Sequence, residues 1–234
     1  MNNEDENLTN EAYSLHRILK TDIKKDPNVE EDEIIFGCGC FWGAEKCFWK
    51  LPGVITTSVG YAGGEKNNPT YYEVCSGLTG HSEVVRVIWD KREIDVSDLL
   101  KMFWECHDPT QKNRQGNDMG TQYRSAIYYK NENNTKIILA SKEQYQTELS
   151  KKNLGLIETE IKMIDSYFYA EQYHQQYLAS AGSRQYCSAS PTKVKLGAFT
   201  GSNYKLDNCV WENFNWEVDK CVLRSDNNPI KNNI

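Results

Sequence analysis

The sequence lacks three features that would point directly to a class of function: an excess of positive charge, a long apolar run and an apolar leader. Lys and Arg number 27 against 33 Asp and Glu, giving a net charge of −6 over 234 residues. That balance argues against a nucleic-acid-binding protein, which normally carries a basic face. No apolar run approaches the length of a membrane span. The start, MNNEDENLTN, is acidic and polar, so we expect no secretory or mitochondrial targeting segment and a cytoplasmic protein.

The sequence also lacks the cysteine and histidine spacing of a structural zinc site. Its eight cysteines, in a reducing cytosol, favour catalysis, redox exchange or metal binding over a disulfide framework. Zinc sites usually pair cysteines across two to four intervening residues. The one close pair here is Cys38-Gly39-Cys40, and its side chains would point to opposite faces of a strand. With the four histidines scattered along the chain, we expect no bound metal.

The distribution of apolar residues predicts one domain, residues 33–186, between two dissimilar ends. Residues 1–32 are polar and charged, and we expect them to form a mobile or peripheral extension. Beyond residue 186 the apolar residues lose any sustained period. This predicts an irregular, cysteine-containing tail over 187–234 that wraps over the domain and has a disordered end.

Within the domain, the order of the predicted elements indicates the fold class. Strand, helix, strand, strand, helix and strand follow one another between about residues 34 and 129, and a long amphipathic helix occupies about 134–152. An alternating strand in ETEIKMID and a last helix in AEQYHQQYLA complete the series. This order predicts an α+β fold, an α/β sandwich built on a ferredoxin-like split βαβ plait with added helices.

Cys40 is the cysteine best placed for chemistry. In FGCGCFWGAEKCFW (36–49) it lies where a buried strand ends and a helix begins, and a helix N-terminus with its free backbone N–H groups favours a thiolate. We therefore expect Cys40 to be a nucleophile, although on these residues alone an inert, packed thiol is an equally open alternative. Cys38, inside the apolar strand, and Cys47, two turns along the helix, are more typical of packing thiols.

Three chemistries use such a cysteine, and the sequence fits them unequally. A tyrosine-phosphatase loop needs an arginine six residues after the cysteine to grip phosphate, and Lys46 is found there. CGCFW is similar to a papain-like signature, and His174 lies at a suitable distance downstream. The signature is one residue short, however, and the upstream glutamine of an oxyanion hole is absent. The third chemistry is attack on sulfur.

Attack on the sulfur of a sulfoxide needs more than a thiol, because oxide cannot leave unless it is protonated. Such a site requires a carboxylic acid kept protonated by burial, hydroxyl donors and an apolar wall for a thioether methyl group. Phe41 and Trp42 directly follow Cys40 and would form that wall. Two polar loops, the usual location of functional groups, supply acids and hydroxyls: Tyr71, Tyr72, Glu83, Asp118 and Tyr123.

Five motifs resemble those of the methionine sulfoxide reductase A family, the peptide-methionine (S)-S-oxide reductases, in the family's order and spacing. They are GCFWG (39–43), VGYAGG (59–64), NPTYYEVCSGLTGHSEVVRV (68–87), HDPTQKNRQGNDMGTQYRSAIYY (107–129) and AEQYHQQYL (170–178). The resemblance extends over about residues 34–186. It implies an α/β sandwich of the plait type and an enzyme that returns oxidised methionine to methionine.

The resemblance also implies a role for each candidate residue. Cys40 would be the nucleophile, and Glu83 would protonate the sulfoxide oxygen. The other residues would assist: Phe41 and Trp42 by holding the substrate methyl group, Tyr71 and Tyr123 through their hydroxyls, Asp118 by orienting the site, and His174 as part of the substrate-binding motif.

The implied cycle passes through a Cys40 sulfenic acid, which a second, resolving cysteine converts to a disulfide. Thioredoxin, kept reduced by NADPH and its reductase, would then reduce the disulfide. The family acts on the S epimer of methionine sulfoxide, free or in proteins, without a metal or a tightly bound organic cofactor. We expect a monomer.

The tail departs from the family pattern that we compare it with. Many members end in a glycine-rich stretch with two closely spaced resolving cysteines, whereas RQYCSASPTKVKLG has one cysteine and few glycines. We expect Cys187 to be the first resolver, with Cys221 or Cys209 relaying the disulfide outward. Two alternatives stay open: these are idle packed thiols, or an external thiol reduces the sulfenic acid directly.

Two rival functions use the same residues differently. A module that only binds oxidised methionine would need no nucleophile, which argues against it because Cys40, Glu83 and both tyrosines occur together. A thiol peroxidase would use Cys40 against hydrogen peroxide, but an aromatic wall and a buried acid fit a bulky organic sulfoxide better.

Overall fold

The apolar run EIIF forms the centre of the sheet. The computed structural model describes residues 14–218 and 221–231, and of Cys221 it describes the backbone alone. Strand β1 (Glu31–Cys38) is buried on both faces from its third residue onward, which explains why the run shows no alternation. It pairs antiparallel with β3 (Ser82–Asp90) on one side and with β6 (Ser125–Tyr129) on the other.

The remaining strands extend the sheet on both sides of this centre. β2 (Val54–Ala62) pairs antiparallel with β3 and with β8 (Tyr167–Tyr169), and β7 (Glu160–Met163) runs parallel to β6. The six strands follow the order β7-β6-β1-β3-β2-β8. A separate pair consists of β4 (Arg114–Gln115) and β5 (Asp118–Met119). The mixed sheet with its helices confirms the predicted α+β class.

Helices occupy the connections between strands and parts of the tail. In the described residues they are α1 (Phe41–Trp49), α2 (Tyr71–Cys75), α3 (Val96–Cys106), α4 (Thr135–Lys151), α5 (Asn208–Trp211) and α6 (Cys221–Arg224). Phe36 of β1 stacks on Phe48 of α1 and on Phe103 of α3, with ring centroids 4.8 and 5.1 Å apart. Both helices therefore pack on one face of the sheet. None of the helices in the described ranges is long and apolar enough to span a bilayer.

The helix predicted for AEQYHQQYLA is wrong. The segment instead forms two 3-10 turns, Gln172–His174 and Tyr177–Ala179, separated by Gln176 in the left-handed region at φ 48°. The side chains explain this break. The Gln175 amide bonds to both the N–H and the carbonyl of Val59, while Gln176 donates to Glu45. The short helix α2 and the strand β8 were not predicted, because each has only a few residues and no sustained period.

The described parts of both ends lie against the domain. His16 is buried and hydrogen-bonds Thr57 of β2. At the other end, Lys46 of α1 and Lys50, which directly follows this helix, donate to backbone carbonyls of tail residues 225, 226 and 228. Seven apolar tail residues belong to the main core: Val194, Leu196, Leu206, Val210, Phe214, Trp216 and Val222.

Candidate active site

Cys40 lies at the junction between β1 and α1. The strand ends at Cys38, Gly39 turns the chain with φ 87°, and Cys40 is the N-cap residue of α1. A side chain at Gly39 would be strained and would overlap Gln115, so the turn requires glycine. Cys40 is 8% exposed, and the Trp42 backbone N–H lies near enough to its thiol to favour the charged form.

The protonation state of Cys40 differs from our expectation. Burial, together with the nearby Glu83 carboxylate, raises the pKa of the Cys40 thiol well above its usual range. The Trp42 N–H opposes this shift but does not outweigh it. The helix N-terminus favours the thiolate through the Trp42 N–H, but desolvation dominates and the thiol keeps its proton.

Glu83 lies on β3 and reaches the same helix N-terminus. Its Oε2 accepts a hydrogen bond from the Phe41 backbone N–H at 3.1 Å, and the side chain is buried. Burial raises the pKa of Glu83 to about 8, and the charge of Asp118 adds to the effect. The carboxyl group therefore carries its proton at neutral pH. The N–H that binds this carboxyl group belongs to Phe41, the residue directly after Cys40.

Two predicted tyrosines lie within electrostatic range of this carboxyl group. Burial is the main cause that raises the pKa of both phenols. For Tyr71 a hydrogen bond with Cys75 and the charge of Glu83 add to it, and for Tyr123 the charges of Glu83 and Asp118 do. Tyr71 begins α2, and its backbone N–H donates to Glu171 Oε1 at 2.9 Å. Both phenols therefore remain neutral O–H groups. Tyr72, the other loop tyrosine considered from the sequence, is exposed to solvent.

Asp118 on β5 completes the polar side of the site. Its Oδ1 accepts a hydrogen bond from the Tyr186 hydroxyl at 2.6 Å. Its charge contributes to the raised pKa of Cys40, Glu83 and Tyr123, which brings all four groups into one site. Tyr186 was not predicted, although its place directly before Cys187 was a signal.

The aromatic wall is built around His174. Trp42 Nε1 donates to His174 Nδ1 at 3.1 Å, and Trp42 stacks on Tyr177 with centroids 3.9 Å apart. The rings of Phe41 and Tyr71 also lie against the imidazole, with ring centroids 5.1 and 4.6 Å from the imidazole centroid. Burial lowers the pKa of His174 to about 4, so the ring is neutral and its Nδ1 can accept the hydrogen bond from the indole N–H. His174 thus lies behind the wall and holds it.

Glu171 is a further residue that sequence reasoning missed. It accepts from the Tyr61 hydroxyl at 2.8 Å and from the Tyr71 N–H at 2.9 Å. The carboxylate therefore links β2 to the first residue of α2 and fixes the position of Tyr71. Its place in AEQYHQQYL, within a matching motif, was the available signal.

The three tail cysteines are placed differently. Cys187 is buried against α1, and its sulfur occupies the space that a side chain at Gly43 would fill. Cys209 is half-buried on α5, next to Val210, on the side of the domain where Trp211 stacks against Lys101 of α3. The side chain of Cys221 lies outside the described residues. Its backbone begins α6, and its neighbour Val222 lines the same cavity as Cys187.

A group that could hold an ion lies behind this site. Among the described residues, Cys38, Cys106 and His107 place one donor atom each within 4.8 Å of one another, and all three are buried. None of them belongs to the set around Cys40 and Glu83. The chemistry available at Cys40 is that of a buried thiol beside a protonated carboxyl group, two neutral phenols and an apolar wall.

The comparisons with known proteins agree with one another. Residues 32–205 match the family model described as Peptide methionine sulfoxide reductase. The chain is 53% identical over 180 residues to "Peptide methionine sulfoxide reductase MsrA" of Vibrio vulnificus, covering 77% of this chain and 86% of that protein. It is 57% identical over 164 residues to the protein of the same name from Azotobacter vinelandii, covering 70% and 76%.

Two solved structures share the fold. Methionine sulfoxide reductase A of Corynebacterium diphtheriae superposes with a TM-score of 0.66 at 42% identity, covering 78% of this chain and 88% of that one. The reduced form of Mxr1 from Saccharomyces cerevisiae gives a TM-score of 0.64 at 35% identity, covering 71% and 93%.

Proposed function

The chain belongs to the peptide methionine sulfoxide reductase family, and from that premise we propose that it reduces methionine S-sulfoxide, free or in proteins, through a Cys40 sulfenic acid. Membership makes the chain an oxidoreductase that acts on methionine sulfoxide. One observation carries the mechanism. The Cys40 thiol caps the helix whose first N–H is bonded to the protonated Glu83 carboxyl group.

The aromatic wall orients the substrate. The methyl and methylene groups of methionine sulfoxide are apolar, whereas its S–O bond is strongly polar. We assign the apolar side to Phe41 and Trp42, which His174 and Tyr177 hold in place. The oxygen then faces Glu83 and the phenol O–H groups of Tyr71 and Tyr123, with Asp118 orienting this polar side.

The reductive step moves one oxygen and needs no external proton. Glu83 gives its proton to the sulfoxide oxygen, and the Cys40 thiol loses its own proton and attacks the sulfur, which forms a transient S–S bond. This S–S bond and the S–O bond of the substrate then break as the hydroxyl group moves to the Cys40 sulfur, and methionine leaves as a thioether. Glu83 recovers the proton that Cys40 released. Cys40 is oxidised by two electrons and methionine sulfoxide is reduced by two.

Cys187 then resolves the sulfenic acid. Its sulfur attacks the Cys40 sulfur, an S–S bond forms, the S–OH bond breaks, and water leaves with the Cys187 proton. The packing of Cys187 on Gly43, in the first turn of α1, supports this assignment. Direct reduction of the sulfenic acid by an external thiol is the alternative outcome.

The disulfide passes from Cys187 to a second tail cysteine and then to thioredoxin. We favour Cys221 over Cys209 for the relay, because Val222, next to Cys221, lines the cavity that Cys187 also lines. Thioredoxin, recharged by NADPH and its reductase, is the proposed external reductant, and no bound cofactor takes part. We further infer a monomer in the cytosol and a split βαβ plait as the core of the sheet.

A single-turnover experiment tests this proposal. Reduced protein, freed of external thiol, is mixed with methionine S-sulfoxide, and methionine formed and thiols lost are counted. The wild type should form methionine, lose thiols in pairs and leave a tail disulfide on peptide mapping. Cys187→Ser should form one methionine and stop at the sulfenic acid, which a dimedone-type probe traps.

Matched variants separate the alternatives. Cys209→Ser should behave as the wild type, and Cys221→Ser should leave the disulfide at Cys40–Cys187. Cys40→Ser should form no methionine. Methionine formation by Cys40→Ser would overturn the nucleophile, and an unchanged disulfide yield in Cys187→Ser would overturn the resolver. Competition with hydrogen peroxide measures the rival peroxidase activity in the same samples.

A further inference from the structure

Behind the active site, a small cavity is lined by four cysteines. Cys38 of β1, Cys47 of α1, Cys106 of α3 and Cys187 of the tail share this cavity, whose volume is about 20 Å³. The rest of the lining is almost entirely carbon: Gly43, Ala44, Ala189, Pro191, Trp216, Val218 and Val222. The space is that of about one small solvent molecule or one heavy atom with its bonds.

Three of these cysteines form a connected group, which we call the trithiol cluster: Cys38, Cys47 and Cys106. Cys106 is hydrogen-bonded to both of the others, so its sulfur lies between theirs. The Cys38 and Cys106 sulfurs lie within 4.8 Å of each other. The three residues come from three different elements, and the proposed catalytic cycle uses none of them.

His107 is close to the cluster but is not available as a ligand. Its Nδ1 lies 2.8 Å from the Phe103 carbonyl, which can only accept, so Nδ1 carries a proton. Its Nε2 is engaged with the Ser125 hydroxyl at 2.8 Å. An ion in the cavity would therefore meet the three sulfurs of the trithiol cluster, the Cys187 sulfur and an apolar wall.

The surroundings decide which ion suits three buried sulfurs. Zinc with four thiolates would carry a net charge of −2, which is costly in an apolar cavity. A trivalent thiophilic element with three thiolates is electrically neutral. We propose that Cys38, Cys47 and Cys106 form a binding site for trivalent arsenic, taken up as its neutral oxyacid, with antimony of the same valence as the chemical equivalent.

The binding reaction balances without an oxidant or a reductant. Three S–H bonds and three As–OH bonds break, three As–S bonds form, and three water molecules leave. Arsenic stays trivalent, and no net charge enters the cavity. Burial raises the pKa of Cys38, and hydrogen bonding between the thiols, with burial as a further cause, raises the pKa of Cys47 and of Cys106 well above the usual range. The three groups are therefore the protonated thiols that this condensation consumes.

The tail determines how the site is reached. Trp216, Val218 and Val222 of the tail line the cavity together with residues of α1 and α3. Loosening of the tail would therefore widen the path to the sulfurs. We therefore expect uptake to be slow in the native protein and faster at low denaturant concentrations that loosen the tail.

The test uses the full chain with both proposed redox cysteines removed, Cys40→Ser/Cys187→Ser, so that a Cys40–Cys187 pair cannot bind arsenic. This variant is reduced, incubated with sodium arsenite and desalted, and arsenic is measured by elemental mass spectrometry. We expect one arsenic per chain and the loss of three thiols that react with a disulfide reagent after unfolding. Adding Cys106→Ala should lower retained arsenic at least tenfold, while adding Cys209→Ser should leave it unchanged.

Further variants keep the test decisive if Cys106→Ala fails to fold. Cys47→Ala and Cys38→Ala should each lower retention in the same way, and arsenite should raise the unfolding temperature of the parent variant but not of these. Unchanged retention in the three cluster variants, or loss only on changing Cys75 or Cys209, would overturn the site. Because the parent variant has no nucleophile, this result is independent of whether the proposed cycle is right.

Discussion

Burial controls the chemistry of the individual residues around Cys40. The same desolvation that keeps the Cys40 thiol protonated keeps the Glu83 carboxyl group protonated, with a pKa of about 8. A thiolate beside a carboxylate would repel it in this low-dielectric site, whereas two neutral acids tolerate each other. The resting site thus stores the proton that the sulfoxide oxygen needs, and the thiol ionises only when the substrate is present.

Replacing Glu83 tests this proton. Glu83→Gln keeps the size and the contact with the Phe41 N–H but donates no acidic proton, so the reductive step should slow by about 10²–10⁴-fold. In the wild type the rate should fall as pH rises through about 8, because the raised pKa means that the acid form is lost there. Single-turnover methionine formation from pH 6 to pH 10 measures both. Full activity of Glu83→Gln at neutral pH would refute the assignment.

His174 offers a test of the aromatic wall. His174→Leu leaves the half-buried Trp42 indole N–H without its acceptor, which costs about 0.5–1.5 kcal/mol. We expect KM to rise about tenfold with a smaller change in kcat. His174→Asn, whose side-chain oxygen can accept the same bond, is the matched control and should recover most of the loss. Equal effects of the two substitutions would show that the hydrogen bond is unimportant.

At the scale of elements, the N-terminus of α1 is where the site is assembled. Cys40 caps this helix, the Phe41 N–H binds Glu83, Trp42 forms the wall, and Gly43 receives Cys187. Elements distant in sequence meet at one turn because β1 and β3 are neighbours in the sheet. β3 thereby delivers Glu83 to the turn that follows β1.

Gly43 provides a test at this scale. By helix propensity alone, Gly43→Ala should stabilise α1 by about 1 kcal/mol. The added methyl group would, however, overlap the Cys187 sulfur and displace it. We expect the burst of methionine to be retained while formation of the Cys40–Cys187 disulfide slows at least tenfold, as followed by quenched thiol labelling. A variant with normal disulfide kinetics would show that Cys187 need not pack on Gly43.

At the scale of the whole molecule, the described ends of the chain hold buried polar networks against the domain. His16 hydrogen-bonds Thr57, whose hydroxyl donates to Glu45, and Glu45 also accepts from Gln176. Four distant segments therefore meet at one buried carboxyl group, that of Glu45, whose pKa is raised by burial to about 7. Removing either end of this network would leave buried polar atoms unpaired.

The pH dependence of stability tests the buried histidine of this network. Burial, assisted by Lys20, lowers the pKa of His16 to about 3, whereas the unfolded chain has the ordinary value of 6.5. Because the pKa is lowered in the folded protein, His16 contributes fully to the free energy of unfolding above pH 6.5, and this contribution is lost as the pH falls below that value. Between pH 6.5 and pH 5 the free energy of unfolding decreases by about 2 kcal/mol.

Denaturant unfolding at these two pH values measures the effect. His16→Gln, which keeps a hydrogen-bonding side chain but does not titrate, should remove about 2 kcal/mol of the pH dependence. His107 is also buried and neutral, with a pKa of about 4, so part of the dependence should persist in this variant. An unchanged slope in His16→Gln would show that His16 is solvated in the folded protein.

The local sequence was sufficient for the elements and for the identity of the chemical groups. Apolar runs and periods predict β1, α1, β2, β3, α3, β6, α4 and β7, because each has enough residues for its pattern to be read. The turn at Gly39 and Cys40 is likewise local. The segment at 170–179 was misread as a helix because its glutamines bond to β2 and α1, and no local pattern carries that information.

The sequence by itself determined most elements of the α+β fold, the position of Cys40 at a strand-to-helix turn and the presence of acids, phenols and aromatic rings in the nearby segments. Only the tertiary structure decided protonation, pairing and position. It kept Cys40 and Glu83 neutral, bound Tyr186 to Asp118, placed Cys187 over Gly43 and gathered three thiols around one cavity. The physical reason is that desolvation and contact depend on which distant segments are packed together, whereas the period of apolar residues is set within each segment.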